Sequence, residues 1–261
     1  MPGERLRGAA GPRNLLARMH ASNKPQSPDG AGLDLVAGVH AAAVRDLWNG
    51  AVGRTVRCVP TRRTVSVASA GTQLYGKWRQ GRGRDAAAEW HWLHVLPLLG
   101  VRVPAPVAWL RHSGRSLLVT AALPGRSLDA WAVDAAAGGW LDQLVAYAAQ
   151  HVAPMVRKLH EGGLVHRDLY WNHVFCEDPR RGTPPALLDV ERVFAPRWRW
   201  RRWLVKDLAG LLSSLPVALS RRQQLRFLRA YLGTLRGERR LLAEIAAKAA
   251  QVRAHVPRYG S

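Results

Sequence analysis

The sequence has few cysteines and no long apolar run, and each absence excludes a class of protein. Cys58 and Cys176 lie far apart and have no second pair, so neither a disulfide framework nor a structural zinc site is supported. This usage is typical of a reducing, cytoplasmic setting. The longest apolar region, near residues 203–219, is interrupted by Lys206 and Asp207, which argues against a membrane span. No continuous apolar stretch follows the N-terminal arginines, so a cleaved secretory signal is not expected.

Acidic residues are also scarce. The 18 Asp and Glu residues are outnumbered by 39 Lys and Arg residues, which gives a formal net charge of +21. A surplus of this size attracts polyanions such as nucleic acid, anionic lipid or phosphorylated glycans, and charge alone does not choose among them. The length of 261 residues allows a sizeable core in one domain of two lobes or in two small domains.

The composition changes along the chain and predicts three parts. Residues 1–32 mix Gly, Pro, Ser, Asn and Arg with little periodicity, which predicts a flexible basic tail. Residues 33–122 form the predicted β-rich, nucleotide-binding N-lobe, because "TVRCVP", "TVSVASA" and "TQLYGKW" indicate an antiparallel meander, followed by one helix and two more strands. Residues 123–261 form the predicted helical C-lobe, with a short strand pair in "HVFCE" and "ALLDV" and helix from Lys206 onward. The predicted fold class is α+β.

Residues 160–175, "HEGGLVHRDLYWNHVF", form a polar loop between a predicted helix and the short strand pair. Asp168 lies in this loop, Asn172 and His173 follow it, and Asp189 ends the second strand of the pair. A loop and a strand end can present two carboxylates and a neutral group to one point. Such a ligand set suits Mg²⁺, which takes oxygen ligands from one or two carboxylates and from substrate phosphates.

The loop resembles the catalytic loop of the protein-kinase-like fold, and "LLDVE" resembles the metal-binding strand end of protein kinases. This resemblance implies a two-lobed fold in which Asp168 orients the acceptor hydroxyl and Asp189 is the chief metal ligand. It also implies a lysine on the third strand that holds the ATP phosphates and a glutamate on the next helix that holds the lysine. Lys77 and Glu89 stand at these places, so four separated elements occur in the required order.

The departures from protein kinases are equally informative. No GxGxxG stretch is present, "DVE" replaces Asp-Phe-Gly, and His173 takes the place of the asparagine expected five residues after Asp168. "HRDLYWNHVF", with Tyr170 and His173, is instead similar to the bacterial lipopolysaccharide kinase family, which phosphorylates heptose or Kdo sugars. The resemblance covers roughly residues 45–215. Whether Asn172 or His173 contacts the metal stays open.

The resemblance implies ATP- and Mg²⁺-dependent phosphorylation of a sugar hydroxyl on a lipid-linked glycan, so the expected partner is an anionic glycolipid or sugar. Two alternatives stay open: a small-molecule phosphotransferase of the aminoglycoside or choline kinase type, and an inactive kinase-like scaffold with a basic binding surface. The absence of a recognisable nucleic-acid-binding motif disfavours a nucleic-acid partner. The sequence does not indicate an oligomeric state. Asp207 is expected to brace the backbone around His166.

The stretch "RWRWRRW", residues 197–203, alternates cations with indoles. This pattern suits an anionic membrane interface, where Trp rings lie at headgroup depth and Arg meets phosphate. It also suits single-stranded nucleic acid, or a solvated face whose Trp residues pack into the lobe. The first interpretation predicts a cytoplasmic protein that lies peripherally on the inner face of the cell membrane.

Overall fold

The computed structural model describes residues 38–81 and 85–254, and these residues divide into two compact units. The predicted basic tail, residues 1–32, lies outside the described residues. The sheet unit comprises the described parts of residues 17–98 together with 103–123. The helical unit comprises residues 99–102 and the described residues after 123.

The sheet unit is built on five antiparallel strands in the order β1-β2-β3-β5-β4, with one helix before the sheet and one after its third strand. Its elements are α1 (Ala41–Trp48), β1 (Arg54–Val59), β2 (Arg62–Ser69), β3 (Thr72–Gln80), α2 (Ala87–Val95), β4 (Pro106–His112) and β5 (Arg115–Ala121). The predicted meander, the helix after it and the two later strands are therefore present. Helix α1 was not predicted.

The two faces of this sheet differ because side chains alternate along a strand. Val44 and Leu47 of α1 pack with Val65, Leu74 and Leu117 in a buried core on one face. Their exclusion from water is the main favourable term in forming this unit. The other face carries the alternate residues, among them the predicted functional lysine of β3.

The helical unit contains six α-helices among its described residues and a small three-stranded sheet in the order β6-β7-β8. Its elements are β6 (Arg126–Ser127), α3 (Leu128–Ala137), α4 (Leu141–Tyr147), α5 (Ala153–Glu161), β7 (Val174–Cys176), β8 (Ala186–Leu187), α6 (Trp200–Ser213), α7 (Arg221–Leu232) and α8 (Arg239–Ala254). The β7–β8 pair is the predicted short strand pair. It positions the polar loop, which precedes β7, relative to the segment after β8.

A π-helical turn, Ala148–Val152, joins α4 to α5. Pro154, at the start of α5, has no N–H to donate to the preceding turn, and the wider turn accommodates this missing hydrogen bond.

The final helical region differs from the prediction. Helix α6 begins at Trp200 rather than at Lys206, and the chain leaves helical structure before α7 and again before α8. Pro216 accounts for the first break, since proline cannot continue a helix. Within the described ranges, no helix is long and apolar enough to cross a membrane.

Candidate active site

Lys77 and Glu89 form a buried ion pair in the sheet unit. The Lys77 Nζ lies 2.5 Å from Glu89 Oε1, and the two residues are only 9% and 2% exposed. Strand β3 directs Lys77 away from the apolar core, and Glu89 lies in the first turn of α2, where the helix dipole favours a negative charge. The resemblance to kinases implied this pair. It did not predict that the second carboxylate oxygen of Glu89 binds Arg79, at 3.1 Å.

The polar loop of the helical unit is braced by a buried carboxylate. Asp207 of α6 is fully buried and accepts the backbone N–H groups of His166 at 2.7 Å and Arg167 at 2.8 Å. The His160 Nε2 lies 3.3 Å from the same carboxylate, and its Nδ1 is hydrogen-bonded to the Tyr231 hydroxyl at 2.6 Å. Asp207, backed by His160 and Tyr231, therefore holds the backbone directly before Asp168, and the expected brace around His166 is present.

His166 itself is buried and serves the loop rather than the chemistry. Its Nε2 bonds the carbonyl oxygen of Leu188, directly before Asp189, at 3.2 Å. Burial lowers the pKa of His166 and outweighs the opposing effect of the Asp207 carboxylate, so the ring is held neutral. A neutral ring donates one hydrogen bond here and thereby ties the loop to the second aspartate.

A glycine in α6 lets the loop approach the helix backbone. A Cβ on Gly210 would lie 2.6 Å from the carbonyl oxygen of Leu169 and 3.3 Å from the Tyr170 ring. Trp171 adds two bonds to this contact, from its backbone N–H to Ser214 and from its indole N–H to the Leu211 carbonyl. The loop residues on both sides of Asp168 are thus fixed by the same helix.

The Asp168 carboxylate is flanked by two cations that the sequence analysis missed. Arg192 bonds Oδ2 at 2.8 Å, and the Lys206 Nζ lies 3.8 Å from Oδ1. Burial lowers the pKa of Lys206, partly offset by the attraction of Asp168. Arg192 follows Asp189 by three residues and Lys206 directly precedes Asp207, yet no periodicity or motif in the sequence marks either as a partner of Asp168.

His173 and Asp189 lie together, whereas Asn172 is exposed to solvent. The His173 Nδ1 donates to the backbone oxygen of Asp168 at 2.8 Å, which leaves its Nε2 directed toward Asp189 Oδ2 at 4.0 Å. Asp189 has a φ of 56°, a left-handed conformation that is uncommon for residues other than glycine and is found at functional sites. A carboxylate oxygen of Glu191 lies within 4.8 Å of one from Asp189.

These features define a class of protein. A lysine–glutamate pair on a strand and a helix, an aspartate on a braced loop, and a second aspartate at a strand end are the parts of a kinase-like phosphotransferase. The model of the Lipopolysaccharide kinase (Kdo/WaaP) family matches residues 77–231, and the chain belongs to this family. It is an ATP-dependent phosphotransferase with an alcohol group as acceptor, as the sequence predicted.

Similar proteins agree with this assignment. Lipopolysaccharide core heptose(I) kinase WaaP of Escherichia coli is 29% identical over 232 residues, which are 77% of this chain and 88% of the relative. A solved structure of WaaP in complex with acyl carrier protein is 29% identical, with a TM-score of 0.64 over 80% of this chain and 96% of the solved chain.

An aminoglycoside-3'-phosphotransferase of type VIII, at 21% identity and a TM-score of 0.55, shares the fold alone, over 81% of this chain and 98% of its own. The predicted α+β, protein-kinase-like fold is confirmed, and so is the resemblance to the lipopolysaccharide kinases.

Proposed function

We propose that the chain transfers the γ-phosphate of ATP to a sugar hydroxyl of a lipopolysaccharide-core-like, lipid-linked glycan. The observation that carries the proposal is Asp168, held on a loop whose backbone is fixed by the buried Asp207 in a member of the lipopolysaccharide kinase family. In-line phosphoryl transfer needs little covalent chemistry from the protein, so positioning and electrostatics supply most of the rate. A rigid loop serves that need.

Lys77 is the proposed ligand of the α and β phosphates, and Glu89 is its positioning partner. The 2.5 Å pair holds the ammonium in place in a buried setting, where its attraction for phosphate is only weakly screened. Arg79 shares the Glu89 carboxylate and adds a second positive charge. With one carboxylate between two cations, the group remains net positive and suits a polyphosphate.

Asp168 is the proposed group that orients the acceptor hydroxyl and accepts its proton. Arg192 and Lys206 each face one oxygen of this carboxylate. The two cations are placed to offset negative charge on the phosphoryl group during transfer. Arg192 is exposed beside Asp168, where an anionic acceptor can reach it, while Lys206 is held beside the Trp203 ring.

The side chains around Asp189 fit a magnesium ion. Asp189 and Glu191 offer hard oxygen ligands within 4.8 Å of each other, which is the donor chemistry that Mg²⁺ prefers. His173 directs a ring nitrogen toward the same carboxylate, whereas the exposed Asn172 is the weaker candidate. When bound, Mg²⁺ would neutralise negative charge on the phosphate groups. Asp189, Glu191 and His173 are therefore the residues proposed to hold it.

Trp198 is the proposed anchor to the anionic inner face of the cell membrane. Of the three indoles in residues 197–203, Trp203 packs edge-on against Phe194 and Trp200 packs near His160, whereas Trp198 is 81% exposed. Exposed arginines on either side of Trp198 suit lipid phosphates.

A Trp198→Ser variant should bind vesicles containing anionic phospholipid several-fold more weakly than the wild type in a sedimentation assay. Val133→Ser removes another exposed apolar side chain of the same unit and should bind as the wild type does. Equal binding by all three proteins, or equal binding to purely zwitterionic vesicles, would contradict the anchor.

An acceptor panel tests the proposed function. Purified protein with ATP labelled in the γ-phosphate is offered two acceptors: lipopolysaccharide core glycolipid lacking core phosphate, and an aminoglycoside. We expect label in the glycolipid and none in the aminoglycoside, because a net charge of +21 disfavours a cationic acceptor. Label only in the aminoglycoside would reverse the assignment in favour of a small-molecule phosphotransferase.

A further inference from the structure

Tyr170 lies two residues after Asp168, on the same side of the catalytic loop. Leu169 between them is only 1% exposed, whereas Asp168 and Tyr170 are both partly exposed. The backbone at Tyr170 is extended, and side chains alternate between the two sides of an extended chain. The Tyr170 side chain therefore leaves the loop on the side that carries the Asp168 carboxylate.

The Tyr170 ring is held in place by the helix that fixes the loop. A Cβ on Gly210 of α6 would lie 3.3 Å from Cε1 and 3.4 Å from Cδ1 of this ring, so one ring edge rests against the helix backbone. The His173 ring packs nearby at a tilt, with 5.9 Å between the ring centroids. A side chain that is already fixed loses little conformational entropy when it binds a ligand.

The Tyr170 hydroxyl takes no part in this packing, and it makes no hydrogen bond within the described part of the chain. Two other tyrosines of the same unit differ in this respect. The Tyr147 hydroxyl donates to the backbone oxygen of Thr183 at 2.7 Å, and the Tyr231 hydroxyl is hydrogen-bonded to His160 at 2.6 Å. The fold thus uses the Tyr170 ring and leaves its hydroxyl available to a ligand.

The electrostatic surroundings place this hydroxyl at the candidate site and keep it protonated. Burial raises the pKa of Tyr170, the Asp168 carboxylate raises it further, and the Arg192 guanidinium lowers it. Both charged groups therefore act on the hydroxyl, and both belong to the group around the proposed base. A protonated phenol can donate one hydrogen bond and accept another.

We propose that Tyr170 is a specificity residue for the acceptor, and that its hydroxyl donates to a sugar oxygen beside the hydroxyl that Asp168 orients. A neutral donor matches the neutral oxygens of a sugar, whereas Arg192 and Lys206 supply the cations that suit a phosphate. The inference rests on the proposed function, which supplies a sugar whose oxygens adjoin the reacting one. An acceptor without that oxygen leaves the Tyr170 hydroxyl unpaired and is disfavoured.

Binding of lipid-free lipopolysaccharide core oligosaccharide to the full chain, measured by calorimetry, tests the contact without turnover. Tyr170→Phe keeps the ring on Gly210 and removes only the hydroxyl. We expect it to weaken oligosaccharide binding and to raise the glycan KM about three- to tenfold. A merely structural role would instead lower the melting temperature and kcat. Tyr147→Phe is the matched control, because it removes a hydroxyl that is bonded within the protein; it should lower the melting temperature and leave oligosaccharide binding unchanged.

Oligosaccharides that lack single hydroxyls of the reacting sugar identify the contacted oxygen. For one of them the wild type should lose the same three- to tenfold in affinity, and Tyr170→Phe should lose nothing further, because the contact is already absent. If Tyr170→Phe binds every oligosaccharide as the wild type does, or if the two losses add for each of them, the contact is refuted. A wild type that neither binds nor phosphorylates the core oligosaccharide would refute the proposed function, and the sugar contact with it.

Discussion

Replacing Gly210 with alanine should damage the enzyme, although the same change usually stabilises a helix. In a helix interior, Gly→Ala typically contributes about 0.5–1 kcal/mol of stability, because glycine loses more backbone freedom on folding. At this position the new Cβ would lie 2.6 Å from the Leu169 carbonyl oxygen, whereas ordinary contacts begin at 3.4 Å. Relief therefore requires a displacement of about 0.8 Å, and the neighbour that must move is the backbone directly after Asp168.

A displacement of this size is enough to lower the catalytic rate substantially. Misplacement of a catalytic group by about 1 Å can cost about 100-fold, so we expect kcat of Gly210→Ala to fall roughly 10- to 100-fold. The affinity for ADP should not change, because Lys77 and Glu89 belong to the sheet unit. Steady-state kinetics and urea unfolding of the same preparations provide the test. A variant that is more stable than the wild type and retains its kcat would refute the proposed fit between loop and helix.

Three further predictions concern Lys206, Asp207 and the two cysteines. Lys206→Met should lower kcat roughly 10- to 100-fold. The variant should also be more stable than the wild type, because burial lowers the pKa of Lys206 and so disfavours its charged form. The stability of the wild type should rise as the pH increases toward the ordinary lysine pKa, and this rise should be absent in the variant. Asp207→Asn should reduce the free energy of unfolding by about 2–4 kcal/mol in urea titrations, since buried N–H donors lose a charged acceptor. In thiol labelling near pH 8, exposed Cys58 should react and Cys176 should not, because burial raises the pKa of Cys176 to about 11; both should react in denaturant.

The sequence was sufficient for the parts of the fold and site that depend on local pattern and chain order. The alternating strands around Lys77 and the helix carrying Glu89 were predicted from periodicity. The pairing of the two residues was implied by the resemblance to kinases. Asp207 was placed correctly for a similar reason, as it lies on the helix that resembles the support of a kinase catalytic loop. The 2.7 Å bond to His166 is the structural counterpart of that prediction.

Other features depend on tertiary geometry that no single stretch encodes. Arg192 and Lys206 meet at Asp168 only because separate segments fold around one loop, and an isolated cation in a basic chain carries no signal. The three indoles of residues 197–203 looked alike in sequence, and only packing separates the exposed Trp198 from the others. Helix α1 was missed because its segment is short and alanine-rich, and its two buried residues, Val44 and Leu47, are defined by the sheet that they cover.

The measurement that tests the central claim most directly is transfer of labelled γ-phosphate from ATP to core glycolipid by the wild type and by Asp168→Asn. The asparagine keeps the size of the side chain but cannot accept the proton of the acceptor hydroxyl. We expect transfer by the wild type and a loss of roughly 100- to 10,000-fold in the variant, with ADP affinity unchanged. Transfer by the variant within a few-fold of the wild-type rate would contradict the role of Asp168, and with it the mechanism proposed for this chain.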